Sequence, residues 1–304
     1  DLELMTELMS ALPARARVIL LGDRDQLASV EAGAVLGDIC GLGRELGSGS
    51  SLAGSVIQLT RSYRYAADSG IGELARAIQA GDVKRTLDVL SSDTTPDVRL
   101  CDPSDGAADL EAAIVAGYRP VLEAISDPAR ALASFDRFRV LCAHRRGEHG
   151  VETMNRSIVR ILFERGLIER AEGQFIGRAL LITENDYRNQ LWNGDVGIVA
   201  RGSSGQRVAC FVSPEGHVRE LGFGRLPPHE SAFALSVHKS QGSEVDEVAL
   251  MLPREPSRVL TRELLYTAVT RARRRVVIHG SREVVAWAVE HAVARSTGLR
   301  ELLY

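Results

Sequence analysis

The sequence has 304 residues, of which 45% are hydrophobic and 25% charged, and its formal net charge is −3. These values are ordinary for a globular protein with a sizeable core, and they exclude a uniformly basic nucleic-acid-binding surface. No apolar run approaches the roughly 18 residues of a membrane-spanning helix. The four cysteines lie far apart without a C-x-x-C spacing, so neither a zinc site nor a disulfide framework is predicted. This cysteine usage suits a reducing cytosol.

Hydrophobic periodicity predicts most of the elements in chain order. An amphipathic helix comes first, followed by short buried strands at 18–21 and 56–59. The Gly- and Ser-rich stretch between them, residues 41–54, is typical of a flexible loop. Residues 82–104 are weakly patterned. Further helices are predicted over 71–80, 107–126 with an interruption at Pro120, 151–166 and 282–295, and further strands over 138–142 and 276–278.

From about residue 172 to 230 the pattern changes to short alternating strands separated by turn signals such as Asn193-Gly194. Strands this short and this regularly interrupted predict a small β-barrel, over about 173–230, inserted into an α/β domain. The α/β pattern resumes at Ala232. The predicted strands of the insertion are 179–183, 196–200, 208–212 and 218–221.

Two polar segments follow the first predicted strands. In GDRDQL, residues 22–27, Gln26 is placed to hydrogen-bond a γ-phosphate, because strand ends are where α/β proteins build phosphate sites. An ordinary Asp-rich turn explains the segment equally well. In SYR, residues 62–64, Arg64 is a candidate charge-stabilising arginine and Tyr63 a candidate aromatic face for a base. A helix-start serine and a surface arginine are the simpler explanation of that segment alone.

Residues 238–244, HKSQGSE, are the most informative segment. Polar side chains and backbone amides directly after an apolar strand provide donors for a phosphodiester backbone. Glu244 is within reach of a ribose hydroxyl. The alternative is a solvated loop with a capping serine and glutamate.

The second informative segment is YTAVTRARRR, residues 266–275. Arg271, after Thr270 and before a basic strand, fits an arginine finger, which stabilises charge on a transferring phosphoryl group. The alternative is a surface arginine in an arginine-rich chain. Arg273, Arg274 and Arg275 are typical of a solvated or DNA-facing edge.

A phosphate-binding loop is absent from the sequence. The chain has two lysines, Lys84 and Lys239, and neither follows a glycine, so no G-x-x-x-x-G-K-[ST] motif exists. No apolar strand ends in Asp-Glu to hold a metal. We therefore expect that this polypeptide alone does not hydrolyse ATP, and we interpret it as the C-terminal portion of a longer protein.

Together these segments resemble helicase motifs III, IV, V and VI of superfamily 1, in that order. The similarity is greatest to the RecD family, the alpha chains of exodeoxyribonuclease V in the RecBCD complex, and it extends over almost the whole chain. It implies a RecA-like parallel-sheet motor domain over 61–304 with an SH3-like β-barrel at about 173–230, preceded at 1–60 by the tail of a first RecA-like domain. The implied activity is ATP-dependent 5′→3′ DNA unwinding in double-strand-break repair and recombination.

The resemblance also implies ligands and partners. ATP and Mg²⁺ would bind between the two domains of the full-length protein, single-stranded DNA would be the track, and RecB and RecC would be the partner subunits. Catalytic roles fall to Arg271, Arg64 and Gln26, and no metal ligand falls in this chain. Nucleotide contacts are assigned to Gln26, Tyr63, Arg64, Gly242, Glu244 and Arg271, and DNA contacts to His238, Lys239, Ser240, Gln241 and Thr267.

Two other classes of protein were weighed. A non-catalytic DNA-binding or scaffold module would keep the fold without turnover, but it would have no need of Gln26, Arg64 and Arg271 together. A nuclease would need a clustered acidic metal site, which the sequence does not show. In the complex that this family forms, the nuclease lies in RecB.

Overall fold

The structure, a computed structural model, describes residues 2–23, 25–27, 35–37, 39–40, 55–59, 69–102, 106–213 and 215–293. The predicted flexible loop at 41–54 and the candidate site residues Tyr63 and Arg64 lie outside these ranges. In the part of the chain that is described, no helix is long and apolar enough to cross a membrane.

The helices are α1 (Leu2–Ala11), α2 (Gly70–Ala80), α3 (Val83–Leu90), α4 (Ala107–Glu123), α5 (Pro128–Phe135), α6 (Val151–Glu164), α7 (Arg262–Val269) and α8 (Arg282–Glu290). The strands are β1 (Val98–Cys101), β2 (Phe138–Cys142), β3 (Ala179–Ile182), β4 (Val196–Arg201), β5 (Arg207–Val212), β6 (Val218–Leu221), β7 (His229–Ser231), β8 (Ala234–Ser236), β9 (Val245–Met251) and β10 (Ala272–His279).

The central sheet has five strands in the order β1-β10-β9-β2-β8, and every pairing is parallel. All five residues of β2 are buried, as expected for a strand covered on both faces. Parallel neighbours require crossover connections, which the helices provide. The predicted α/β class with a parallel sheet is confirmed.

The weakly patterned residues 82–104 contain two elements that periodicity did not predict, α3 and β1. Helix α3 has only eight residues, and Asp82 caps it by accepting a hydrogen bond from the backbone N–H of Arg85 at 2.9 Å. A helix this short depends on packing rather than on its own periodicity. Packing also overrides Pro120, because α4 continues through it with Tyr118 and Val121 buried. The predicted interruption is therefore wrong.

The predicted strands at 18–21 and 56–59 are also not formed. Neither segment has regular secondary structure, and within the described residues neither pairs with a strand. Their apolar side chains point into solvent, with Ile19 82% and Leu21 88% exposed. A β-strand needs a neighbour to satisfy its backbone groups, so an apolar run by itself does not make one.

The insertion forms its own antiparallel sheet, in the order β6-β5-β4-β3-β7, rather than joining the central sheet. Alternate residues serve two cores. Leu181 and Ile198 pack into the main core, whereas Leu180 and Phe211 belong to a smaller one. Gly197 lies against the Phe211 ring, where an added Cβ would be 2.4 Å from a ring carbon. The predicted inserted β-unit is thus observed as a sheet, while its SH3-like identity stays a prediction.

His279 at the end of β10 gives a pH-dependent prediction. It is buried, its Nε2 has no hydrogen-bond partner, and burial lowers its pKa to about 4. Asp109 raises that pKa, whereas Arg99 and His149 lower it further. The unfolded chain therefore binds more protons between about pH 6.5 and pH 4, so stability is lost as the pH falls through this window.

The His279 contribution amounts to at most about 3 kcal/mol. We expect His279→Phe, which cannot take up a proton, to reduce the drop in melting temperature between pH 7 and pH 5. Parallel melting curves of wild type and variant would check this. Equal drops for the two proteins would contradict it.

Candidate nucleotide and DNA site

The segment around Gln26 meets the end of α7, although the two are far apart in sequence. Arg271 donates from Nη2 to Gln26 Oε1 at 3.1 Å. The backbone N–H of Leu27 donates to Thr267 Oγ1 at 2.9 Å, and Tyr266 donates from its hydroxyl to an Asp23 carboxylate oxygen at 3.3 Å. The structure thus brings together two of the three residues predicted to be catalytic.

Arg271 is held in one orientation by several acceptors. It follows the C-terminal end of α7 and is only 3% exposed. Besides Gln26, it donates from Nε to the carbonyl of Thr267 and from Nη1 to the carbonyl of Ser243, both at 3.2 Å. A guanidinium keeps its charge under all relevant conditions and presents a rigid fork of donors. The site therefore offers a pre-oriented positive charge. Its Nη2 group donates to the side-chain oxygen of Gln26, an acceptor that another oxygen can replace.

The polar loop after β8 begins with a 3-10 turn, His238–Ser240. Lys239 is exposed and forms an ion pair with Glu230 on β7, with Nζ 2.7 Å from Oε1. Gln241 is exposed and donates to the carbonyl of Leu27 at 2.8 Å. Gly242 has φ of 81°, a left-handed conformation that favours glycine and turns the chain back toward β9. The loop is therefore linked directly to the Gln26 segment.

Two residues predicted to contact DNA are instead buried. Ser240 donates its hydroxyl to the carbonyl of Val237 at 2.7 Å. Thr267 is fully buried, and its hydroxyl accepts the Leu27 N–H. Neither hydroxyl is presented to a DNA strand in this arrangement, because each already supports the loop or helix around it. Among the remaining predicted contacts, His238 is half-buried and Lys239 and Gln241 are exposed.

Glu244, predicted to contact the nucleotide, lies beside Arg273 at 3.4 Å, and Arg273 also approaches Asp246 at 3.9 Å. These side chains are about a third to a half exposed, so the ion pairs add little to stability. Arg274 and Arg275 are exposed on β10. Sequence reasoning missed Glu230 and Ser243 as members of the site, since nothing in the sequence indicates which distant groups contact Lys239 and Arg271.

A cleft of about 710 Å³ lies on the insertion and not at Arg271; its lining includes Arg170, Phe175, Arg201 and Arg207. Among the described residues no group of three or more His, Cys, Asp or Glu side chains is placed to hold a metal ion. The side chains that meet at Arg271 are its guanidinium and the Gln26 amide, and both can donate hydrogen bonds to a phosphate.

The chain is similar in sequence to known helicase proteins. Residues 231–279 match the UvrD-like helicase C-terminal domain, and residues 1–95 match an AAA domain. The RecBCD enzyme subunit RecD of Mycolicibacterium smegmatis is 40% identical over 306 residues, which cover 100% of this chain and 52% of that protein. The ATP-dependent RecD2 DNA helicase of Deinococcus radiodurans is 32% identical over 304 residues, covering 98% of this chain and 37% of that protein.

Among solved structures, that of a Pif1 helicase from Bacteroides in complex with ADP-AlF3 and ssDNA covers 81% of this chain and 55% of that one, with a TM-score of 0.44 and 15% identity. The chain spans about half the length of the RecD relative that it matches. The sequence similarity to RecD proteins extends over the whole chain and includes all the motif segments described above. The chain belongs to the RecD family of superfamily 1 helicases.

Proposed function

We propose that the full-length protein is an ATP-dependent DNA helicase that moves 5′→3′ along single-stranded DNA. The observation that carries this proposal is the hydrogen bond between Arg271 and Gln26, 245 residues apart. It joins the predicted arginine finger to the predicted γ-phosphate contact in one site. A non-catalytic scaffold has no use for a buried, pre-oriented guanidinium at this point.

In this proposal the γ-phosphate replaces Gln26 as the acceptor of the Arg271 Nη2 hydrogen bond. Arg271 then stabilises the charge that develops during phosphoryl transfer, while Gln26 donates from its amide. ATP with Mg²⁺, when bound, supplies the phosphoryl group, and this chain contains no phosphate-binding loop of its own. Arg64 is proposed as a second charge-stabilising group and Tyr63 as the aromatic face beside the adenine, with Gly242 and Glu244 completing the nucleotide contacts.

Coupling to DNA follows from the contacts of Leu27. Its carbonyl accepts from Gln241 in the polar loop, and its N–H donates to Thr267 on α7. A shift of Gln26 toward a phosphate therefore displaces both the loop and the helix. We assign Thr267 a positioning role. His238, Lys239 and Gln241 are proposed to contact the DNA backbone, so that cleft closure moves the strand.

The Lys239–Glu230 ion pair supplies a test of the DNA site. We expect Lys239→Ala in the full-length protein to weaken binding to single-stranded DNA of every sequence, and to reduce the salt slope by about one, because one phosphate-facing charge is lost. Glu230→Gln is the matched control. It keeps Lys239 and removes its competing carboxylate, so binding should stay the same or tighten.

Fluorescence anisotropy of a labelled oligonucleotide at several salt concentrations measures both variants. An unchanged salt slope for Lys239→Ala would contradict the assignment of this loop to DNA.

The proposal of partner subunits rests on the names of similar proteins. The Mycolicibacterium relative is named as a subunit of the RecBCD enzyme. We infer that the full-length protein assembles with RecB- and RecC-type subunits in the bacterial cytoplasm and acts in double-strand-break repair and recombination. Co-purification with those subunits tests this assembly.

A further inference from the structure

The loop between β3 and β4 carries two exposed aromatic side chains that the helicase motifs do not use. Tyr187 is 75% exposed and Trp192 is 41% exposed. Their rings meet edge to face, with centroids 5.2 Å apart and planes at 79°. Neither ring lines the cleft described above on the insertion. Because the planes are nearly perpendicular, the pair does not form one flat surface; it presents the exposed Tyr187 ring with the Trp192 ring standing against it, an arrangement open to a planar ligand.

Hydrogen bonds fix the backbone on both sides of the two rings. Asp186 and Leu191 exchange two hydrogen bonds, at 2.7 and 3.0 Å, and Leu191 is buried in the small core of the insertion. The N–H of Trp192 donates to an Asp195 carboxylate oxygen at 2.8 Å. The N–H of Gly194 donates to the carbonyl of Ile182 at 2.9 Å.

Asn189 secures the middle of the loop. Its buried amide donates to Asp186 at 2.7 Å and accepts from Arg225 at 3.0 Å. The hydrogen bonds from Asn189 hold the pKa of Asp186 below its usual range, so the carboxylate stays an acceptor. Arg219 donates to the carbonyl of Gln190 at 3.3 Å, where φ is 48°. A non-glycine residue in this conformation persists only when its surroundings impose it. The rings are thus pre-positioned, which lowers the entropic cost of binding.

The aromatic loop is connected to the proposed DNA-binding loop through strands β7 and β3. Lys239 is bonded to Glu230 on β7, Glu230 pairs with Leu181 on β3, and the aromatic loop begins directly after β3. A nucleic-acid strand that contacts Lys239 and continues past the end of β3 would approach the loop that carries the two rings. Exposed Arg188, next to Tyr187 in the chain, offers a positive charge for a phosphate.

We propose that Tyr187 and Trp192 form a platform on which an unpaired base of single-stranded DNA stacks. The proposal rests on the function proposed above and adds a contact outside the motor motifs. Every base has a π-face, so stacking is tolerant of sequence, as a translocating enzyme requires. The contact would hold the DNA strand on the insertion while the loop around Lys239 releases one phosphate and binds the next.

Equilibrium binding of the full-length protein to a base-bearing oligonucleotide and to an abasic one of equal length tests the platform. We expect Tyr187→Ala and Trp192→Ala each to weaken binding to the base-bearing strand at least about fivefold, while Tyr187→Phe and Trp192→Phe keep most of the affinity. On the abasic strand the alanine variants should match wild type. Binding of base-bearing DNA should also quench the tryptophan fluorescence of the wild type. This quenching should be absent in Trp192→Phe. Phe163→Ala, at an exposed ring on α6, is the matched control.

Three outcomes would overturn the platform: wild-type affinity in both alanine variants, an equal loss on both strands, or lost subunit assembly with intact DNA affinity, which would make the pair a protein interface. The Lys239→Ala variant distinguishes a failure of the proposed function from a failure of the stacking platform alone. If wild type binds no single-stranded DNA and Lys239→Ala changes nothing, the proposed function fails. If Lys239→Ala acts as expected and the aromatic variants do not, only the platform fails.

Discussion

Arg271→Ala in the full-length protein is expected to lower kcat for ATP hydrolysis by about 10³–10⁵, the range measured for arginine fingers in related phosphoryl-transfer enzymes. The physical reason is that Arg271 presents a buried, always-charged fork whose orientation is set by the carbonyls of Thr267 and Ser243. Affinity for DNA should change little, because the guanidinium is buried and faces Gln26. Steady-state ATPase assays with saturating DNA measure the effect.

Two further variants sharpen this prediction. Arg271→Lys keeps the charge but cannot make the three separate hydrogen bonds, so most of the loss should remain. Gln26→Glu places a carboxylate against Arg271 and against the incoming phosphate, so kcat should fall although the guanidinium is intact. Arg119→Ala, at an exposed arginine on α4, is the control and should keep wild-type turnover. Lost DNA binding with unchanged DNA-free hydrolysis in Arg271→Ala would contradict the assigned roles.

Asn155→Leu is expected to destabilise the protein by about 2–5 kcal/mol, since it leaves two buried backbone groups without partners. Asn155 on α6 donates to the carbonyl of Ala234 at 2.8 Å and accepts the Ala234 N–H at 3.1 Å. Strand β8 ends the described order of the central sheet, so this side chain takes the place of a further strand. Because β8 leads directly into the polar loop, the loop should loosen as well.

Thermal unfolding and hydrogen–deuterium exchange of the full-length protein measure these effects. We expect a lower melting temperature and faster exchange in peptides that cover residues 232–241. Arg156→Leu, at the neighbouring exposed position of α6, should change stability by less than about 0.5 kcal/mol. Wild-type protection of β8 in Asn155→Leu would show that the side chain does not support this edge.

The sequence by itself determined the features that depend on local patterns. Apolar runs and their spacing predicted β2 and α6, and short strands with regular turns predicted a separate β-insertion, which the structure contains as its own sheet. The segments at 237–244 and 266–275 identified the helicase family, because each places its polar groups within a few residues. Such groups are linked by local backbone geometry and need no knowledge of distant contacts.

Only the tertiary structure decided which distant groups meet. The Gln26–Arg271 hydrogen bond, the burial of Thr267 and the pairing of Lys239 with Glu230 all join segments whose approach depends on the packing of whole elements. Short α3 and β1 likewise exist because neighbours cover them. The apolar runs at 18–21 and 56–59 show the reverse case. They have strand-like sequences, yet they stay unpaired within the described residues, since backbone hydrogen bonds between strands require a partner that no local pattern supplies.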